Sequence, residues 1–124
     1  MKRILGLVMM VALAAAAAMA GNPSNKQTKI SGTLVDVACA TEQAKKPKPD
    51  FAAKHDKECL TMAECVKSGY ALLTADSKVL KFDAKGNEQA RKLLAETKKE
   101  QNFKATVTGA VQGDTIEVAT LVLD

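Results

Sequence analysis

The chain has 124 residues, with 18 basic and 14 acidic side chains, a net charge of +4, no tryptophan and three cysteines. That length allows one small domain once a leader is set aside, and it excludes a two-domain enzyme. Part of the modest positive charge sits on Lys2 and Arg3, so the remainder gives no reason to expect nucleic acid or an acidic membrane as partner.

Lys2 and Arg3 form a positive n-region, an alanine-rich apolar stretch runs from Ile4 to Ala18, and Ala18-Met19-Ala20 supplies the small residues a signal peptidase reads. Residues 1–20 are therefore expected to be a signal peptide, with the mature chain starting at Gly21. No cysteine stands at the cleavage point to carry a lipid. The expected product is exported, periplasmic or secreted, with no stable membrane anchor after cleavage. Residues 21–29 are polar, contain Pro23 and read as a flexible leader. Residues 30–124 are expected to form a single domain.

Within that domain, residues 30–39 are predicted to be the first strand. Its apolar positions change phase, with Ile30 and Leu34 on one parity and Val35, Val37 and Cys39 on the other. A bulge near Gly32 would reconcile them. Residues 41–50 hold three lysines and two prolines, and are expected to be an exposed loop. A short helix is predicted over 61–68. Thr61 and Glu64 would form its capping box, Leu60 and Cys65 its hydrophobic staple, and Gly69 its stop. Strands are predicted at 70–75 and 79–83, joined by the three-residue turn Asp76-Ser77-Lys78. Asn87 would cap a helix running to about Lys99, with Ala90, Leu93, Leu94 and Thr97 on one stripe. Strands at 103–111 and 115–123 complete the chain, the last with Ile116, Val118 and Val122 on one face.

The order is strand, helical insert, strand, strand, helix, strand, strand. This mainly β pattern with helices is the connectivity of a five-stranded OB-like Greek-key barrel. Leu72, Phe82, Leu94, Val107 and Val118 should then share one core.

Certain segments carry a likeness beyond that pattern. They are Ser31-Gly32-Thr33-Leu34-Val35-Asp36 with Cys39 after it, His55 and Cys59, Cys65-Val66-Lys67-Ser68-Gly69, Val107-Thr108-Gly109, and Gly113-Asp114-Thr115-Ile116-Glu117-Val118. In these the chain resembles a family of small exported bacterial domains with an OB-like barrel and a Cys…His-x3-Cys…Cys insert. The likeness spans nearly all of residues 21–124, although the five residues between Cys59 and Cys65 exceed the family's spacing. The resemblance implies the barrel scaffold and carries no activity with it.

All three cysteines and the sole histidine fall between the end of the first predicted strand and the start of the second. Three chemistries suit such a cluster. Outside the cytoplasm a disulfide is favoured in so small a domain, and Cys39 with Cys65, both on inward parities, would staple the insert. Cys59, four residues after His55, could serve as a redox thiol if a neighbouring imidazolium lowered its pKa. Alternatively Cys39, His55, Cys59 and Cys65 together form a Cys3His set suited to zinc or copper. Asp36 and Glu58 lie close by in sequence, and solvated charge is the expected role of each. There is one histidine, no glycine-rich phosphate loop and no serine with an assignable base, so an enzyme is not indicated. The four aromatic residues are better placed in a core than as stacking platforms for single-stranded nucleic acid. The reading is an exported, non-enzymatic binding or envelope domain with a disulfide-stapled insert. The alternative is a periplasmic metal-binding or thiol-redox protein.

Overall fold

The computed structural model describes residues 26–124; the expected signal segment and the first five residues of the expected leader lie outside them. Of the remaining leader positions, Gln27, Thr28 and Lys29 already belong to the first strand. Five strands, β1 (Gln27–Asp36), β2 (Tyr70–Thr74), β3 (Val79–Phe82), β4 (Lys104–Gln112) and β5 (Thr115–Leu123), close into a barrel in the order β1-β2-β3-β5-β4. Four short helices, α1 (Val37–Lys45), α2 (Phe51–Lys54), α3 (Lys57–Thr61) and α4 (Ala63–Ser68), form the insert between β1 and β2, and α5 (Ala84–Glu96) joins β3 to β4. All neighbouring strands run antiparallel except β3 and β5, which pair in parallel through Lys81 with Thr115 and Phe82 with Ile116. This is the five-stranded OB-like barrel with a helical insert that the element order implies. Among the described residues no helix is long and apolar enough to cross a membrane.

Strand β1 serves two neighbours in turn. Residues 27–33 pair with β4 and residues 32–36 with β2, so Gly32 faces Ala105 on one side and Thr74 on the other. A Cβ at Gly32 would overlap the Leu73 carbonyl oxygen, which accounts for glycine at this crossing point. The expected bulge is absent from β1, whose pairing carries no register shift. The phase change has another cause. Leu34 points into the barrel, while Val35 points outward into a second buried cluster with Ala40 and Ala71, flanked by Val37, Phe51, Leu73 and Val79. The insert covers the outer face of the β1–β2 pair, so both parities are apolar there.

The bulge lies instead between β4 and β5, where Thr108 pairs with Thr120 but Gly109 pairs with Val118. The extra residue, Ala119, reverses the parity of β5. Ile116 and Val118 are buried as expected, but Leu121 takes the next inward position and Val122 is left 52% exposed. The main core gathers Leu34, Leu60, Tyr70, Leu72, Leu80, Phe82, Ala90, Leu94, Phe103, Ala105, Val107, Ile116, Val118 and Leu121. The five residues expected to share a core are all in it.

Helix starts differ from the sequence reading in two places where an aspartate side chain, rather than the residue chosen as cap, reaches the free amides. Asp83, not Asn87, caps α5 by accepting the Gly86 amide at 3.0 Å. Asn87 lies inside the helix, and its Oδ1 accepts the Tyr70 amide at 2.8 Å, tying α5 to the start of β2. Asp56 caps α3, while Thr61 ends that helix with its hydroxyl donating back to the Lys57 carbonyl at 2.7 Å. The Thr61–Glu64 capping box does not form; Met62 begins α4 with no side-chain cap. Gly69 is the stop of α4, at φ 87°, a conformation glycine adopts without a Cβ penalty. Asp56→Ala should therefore lower the urea midpoint measurably, through loss of an aspartate cap. Thr61→Ala should shift the urea midpoint by much less. Equal losses in the two variants would overturn this assignment of caps.

Candidate functional site

The pattern Asp-x-x-Cys occurs twice in the insert, as Asp36-Val37-Ala38-Cys39 and Asp56-Lys57-Glu58-Cys59. Each time the aspartate is a helix N-cap whose carboxylate accepts the cysteine amide, at 2.9 Å for Asp36 and Cys39 and at 2.8 Å for Asp56 and Cys59. Capping of the third helical amide is the ordinary reason for aspartate at this spacing. It also sets a thiol beside a carboxylate. Cys39 is thus in the first turn of α1 and not at a strand end, and residues 41–45, expected as loop, continue that helix; the exposed proline-containing loop is confined to 46–50.

The two capping aspartates have different surroundings. Asp36 is fully buried, contrary to the solvated role expected of it. Its Oδ1 lies 2.7 Å from Nε2 of His55, itself 6% exposed. A carboxylate can only accept, so Nε2–H donates. His55 is the residue that ends α2, directly before the Asp56 cap of α3, and its ring packs on Phe51 at a centroid distance of 4.9 Å. The backbone between α2 and α3 therefore delivers the imidazole to the base of β1, where the barrel and insert meet.

Cys65 arrives from the other side. The Val37 amide donates to the Gly69 carbonyl at 2.9 Å, and the Ala38 amide to Ser68 Oγ at 3.2 Å. These bonds set the end of α4 against the start of α1. Cys65 is buried there, close to both Asp36 and Cys39. The three cysteines are free. Cys39 and Cys65, the expected staple, are 4.2 Å apart without a bond between them, about twice the length of a disulfide.

One carboxylate oxygen of Asp36, the Cys39 sulfur and one ring nitrogen of His55 all lie within 4.8 Å of one another. Cys39 and His55 were anticipated as members of such a set, and Cys65 flanks it. Cys59 stands apart from this trio, with its thiol hydrogen-bonded to Asp56. Asp36 takes the place that the Cys3His reading gave to Cys59. The clue to Asp36 was its spacing to Cys39, together with the helix-favouring Ala-Cys-Ala-Thr-Glu-Gln-Ala-Lys that follows.

Electrostatics in the cluster divide by group. Burial pushes the Asp36 carboxyl up, but hydrogen bonds from His55 and from the Cys39 amide outweigh it and hold the group below its usual range. Burial, and then the Asp36 charge, push the Cys39 thiol up to about 12. Cys65 is raised by burial and by Asp36. Cys59 is raised by its bond to Asp56 and then by burial. The neighbour that governs Cys59 is thus an acid and not the His55 imidazole. In this state all three cysteines are held as neutral thiols, which is not the environment of an activated nucleophile.

No protein-family model, no curated protein and no solved structure matches the chain.

Proposed function

We propose that the chain is an exported, non-enzymatic domain whose insert binds one zinc or copper ion at its junction with the barrel. The observation that carries this reading is the buried trio of Asp36, Cys39 and His55, whose donor atoms lie within 4.8 Å of one another, with the Cys65 thiol against two of them. Metal bonds of about 2.0–2.3 Å in tetrahedral geometry place neighbouring ligand atoms roughly 3.3–3.8 Å apart. Opening the 2.7 Å Asp36–His55 contact and drawing in the longer separations asks for side-chain shifts on the order of an ångström. Nitrogen, oxygen and sulfur donors together suit zinc, and the thiolates also suit Cu(I). The ion would displace the thiol protons, so affinity should rise with pH. Export rests on the n-region, apolar stretch and Ala18-Met19-Ala20 pattern.

A second reading draws support from the 4.2 Å separation of Cys39 and Cys65. The same pair could close the disulfide staple expected from the compartment, leaving Cys59 as the free thiol.

Titration of the reduced protein with Zn(II) alone checks the first reading. The expected outcome is one ion per chain, at least tenfold weaker binding in both His55→Ala and Cys39→Ser, and little change in Cys59→Ser. Absence of binding by the reduced, folded protein would sink the proposal.

A further inference from the structure

We propose that Cys39 and Cys65 act as a thiol–disulfide gate on this metal site, so that the reduced insert holds the ion and the oxidised insert releases it. The inference rests on the metal-binding reading and adds its control. Both sulfurs serve two uses that exclude each other. Each would donate to the ion as a thiolate, and a disulfide sulfur no longer offers that anionic donor. With the pair oxidised, the donor set is reduced to Asp36 and His55, which lie 2.7 Å from each other.

The geometry favours this pairing over any other. The Cys39 and Cys65 side chains are 4.2 Å apart, so closure to about 2.05 Å asks for a local adjustment between α1 and α4. Cys59 is engaged with Asp56 in α3 and does not compete. Access differs between the two sulfurs. Cys65 is buried, whereas Cys39 is partly exposed and lines a surface groove of about 260 Å³ with Glu42, Gln43, Lys46, Lys48 and Phe51.

The oxidant is a small-molecule disulfide. Cys39 loses its proton and attacks one sulfur of the oxidant, forming a mixed disulfide and releasing one reduced thiol. Cys65 then loses its proton and attacks the Cys39 sulfur, displacing the second thiol and closing the protein disulfide. Two electrons and two protons leave the cysteine pair and appear in the two released thiols.

The test compares full mature protein in two states, reduced with dithiothreitol and oxidised with glutathione disulfide, each titrated with Zn(II) and each mapped by alkylation and peptide mass. Support is a Cys39–Cys65 linkage with Cys59 alone alkylated, a loss of zinc affinity of at least 100-fold on oxidation, and recovery on reduction. Preloading with zinc should slow linkage formation at least tenfold, and Cys59→Ser should behave as the parent in every arm. Reduced and oxidised protein binding zinc equally would overturn the gate while leaving the metal reading intact. Failure of the reduced protein to bind zinc would overturn the metal reading itself and the gate with it, whatever linkage is mapped. A linkage through Cys59, or none under oxidant, would also overturn the gate.

Discussion

His55→Ala should destabilise the metal-free domain by about 1–3 kcal/mol, the cost of leaving a buried carboxylate without its hydrogen-bond donor. Asp36 is fully buried. Its carboxylate keeps only the Cys39 amide and thiol contacts once the imidazole is gone. The ring's contact with Phe51, at 4.9 Å, is lost as well, so the insert is loosened from the barrel at its deepest point. A double-mutant cycle separates the pair from its surroundings. His55→Ala with Asp36→Ala should be less destabilised than the sum of the single changes, because no unpaired charge remains. Asp36→Ala alone also removes the cap of α1. Strict additivity in urea unfolding would show that the two side chains do not act together.

The same pair sets a pH dependence. The folded-state pKa of Asp36 is depressed, with burial opposing and the His55 and Cys39 hydrogen bonds prevailing. Its contribution to stability is therefore present above the unfolded carboxylate value, near 3.8, and is lost as pH falls through the lower folded value. The groups facing it are His55, Cys39, Cys65 and Tyr70. In His55→Ala the depressing partner is gone and burial is left to raise the carboxyl. The stability gap between parent and variant should accordingly narrow on acidification, and a gap that is constant from pH 7 into the acid range would contradict the assignment.

Phe82→Ala should cost about 3–5 kcal/mol and Leu94→Ala about 2–5 kcal/mol, the range for truncating large apolar side chains in a packed core. Both residues belong to the main core, 6% and 1% exposed respectively. Phe82 ends β3 beside Ile116, in the parallel pairing through which β3 meets β5. Leu94 extends from α5 into the same core. A hole at either position is bounded by strands already committed to pairing on both sides, so collapse around it is limited. Val122→Ala makes the contrasting case. Its side chain is on the surface after the β4–β5 bulge, and the change should shift the unfolding midpoint little. Equal losses at Val122 and Leu94 would show that the parity reversal at Ala119 is wrong.

The scaffold was legible because its signals are local. Alternating apolar residues in 103–111, the stripe of Ala90 and Leu94, and the short turn between Leu72 and Leu80 each report burial of one face, and a closed barrel buries one face of each strand. Legibility failed wherever a residue had two neighbours at once. Val35 and Val37 looked like a continuing strand because they are apolar, but they are apolar on account of α1 and α2 folding over the outside of β1 and β2. Val122 looked inward because nothing in the alternation of β5 marks Ala119 as the extra residue. The aspartate caps were in principle readable from spacing, yet Thr61 and Asn87 offered equally good local chemistry, and only the packing around Tyr70 and Leu60 decides between them.

The candidate site divides along the same line. Cys39, His55, Cys59 and Cys65 were visible from residue type alone, since these side chains have few other uses grouped in one loop. Their grouping was not visible. Sequence by itself determined that thiols and an imidazole occupy the insert. Tertiary structure decided that Asp36 joins Cys39 and His55, that Cys65 lies against them, and that Cys59 turns to Asp56. The reason is that donor geometry depends on where four short helices end. Those ends are set by backbone bonds such as Val37 to Gly69 and Lys57 to Glu100, made between segments more than thirty residues apart, to which no local pattern of side chains responds.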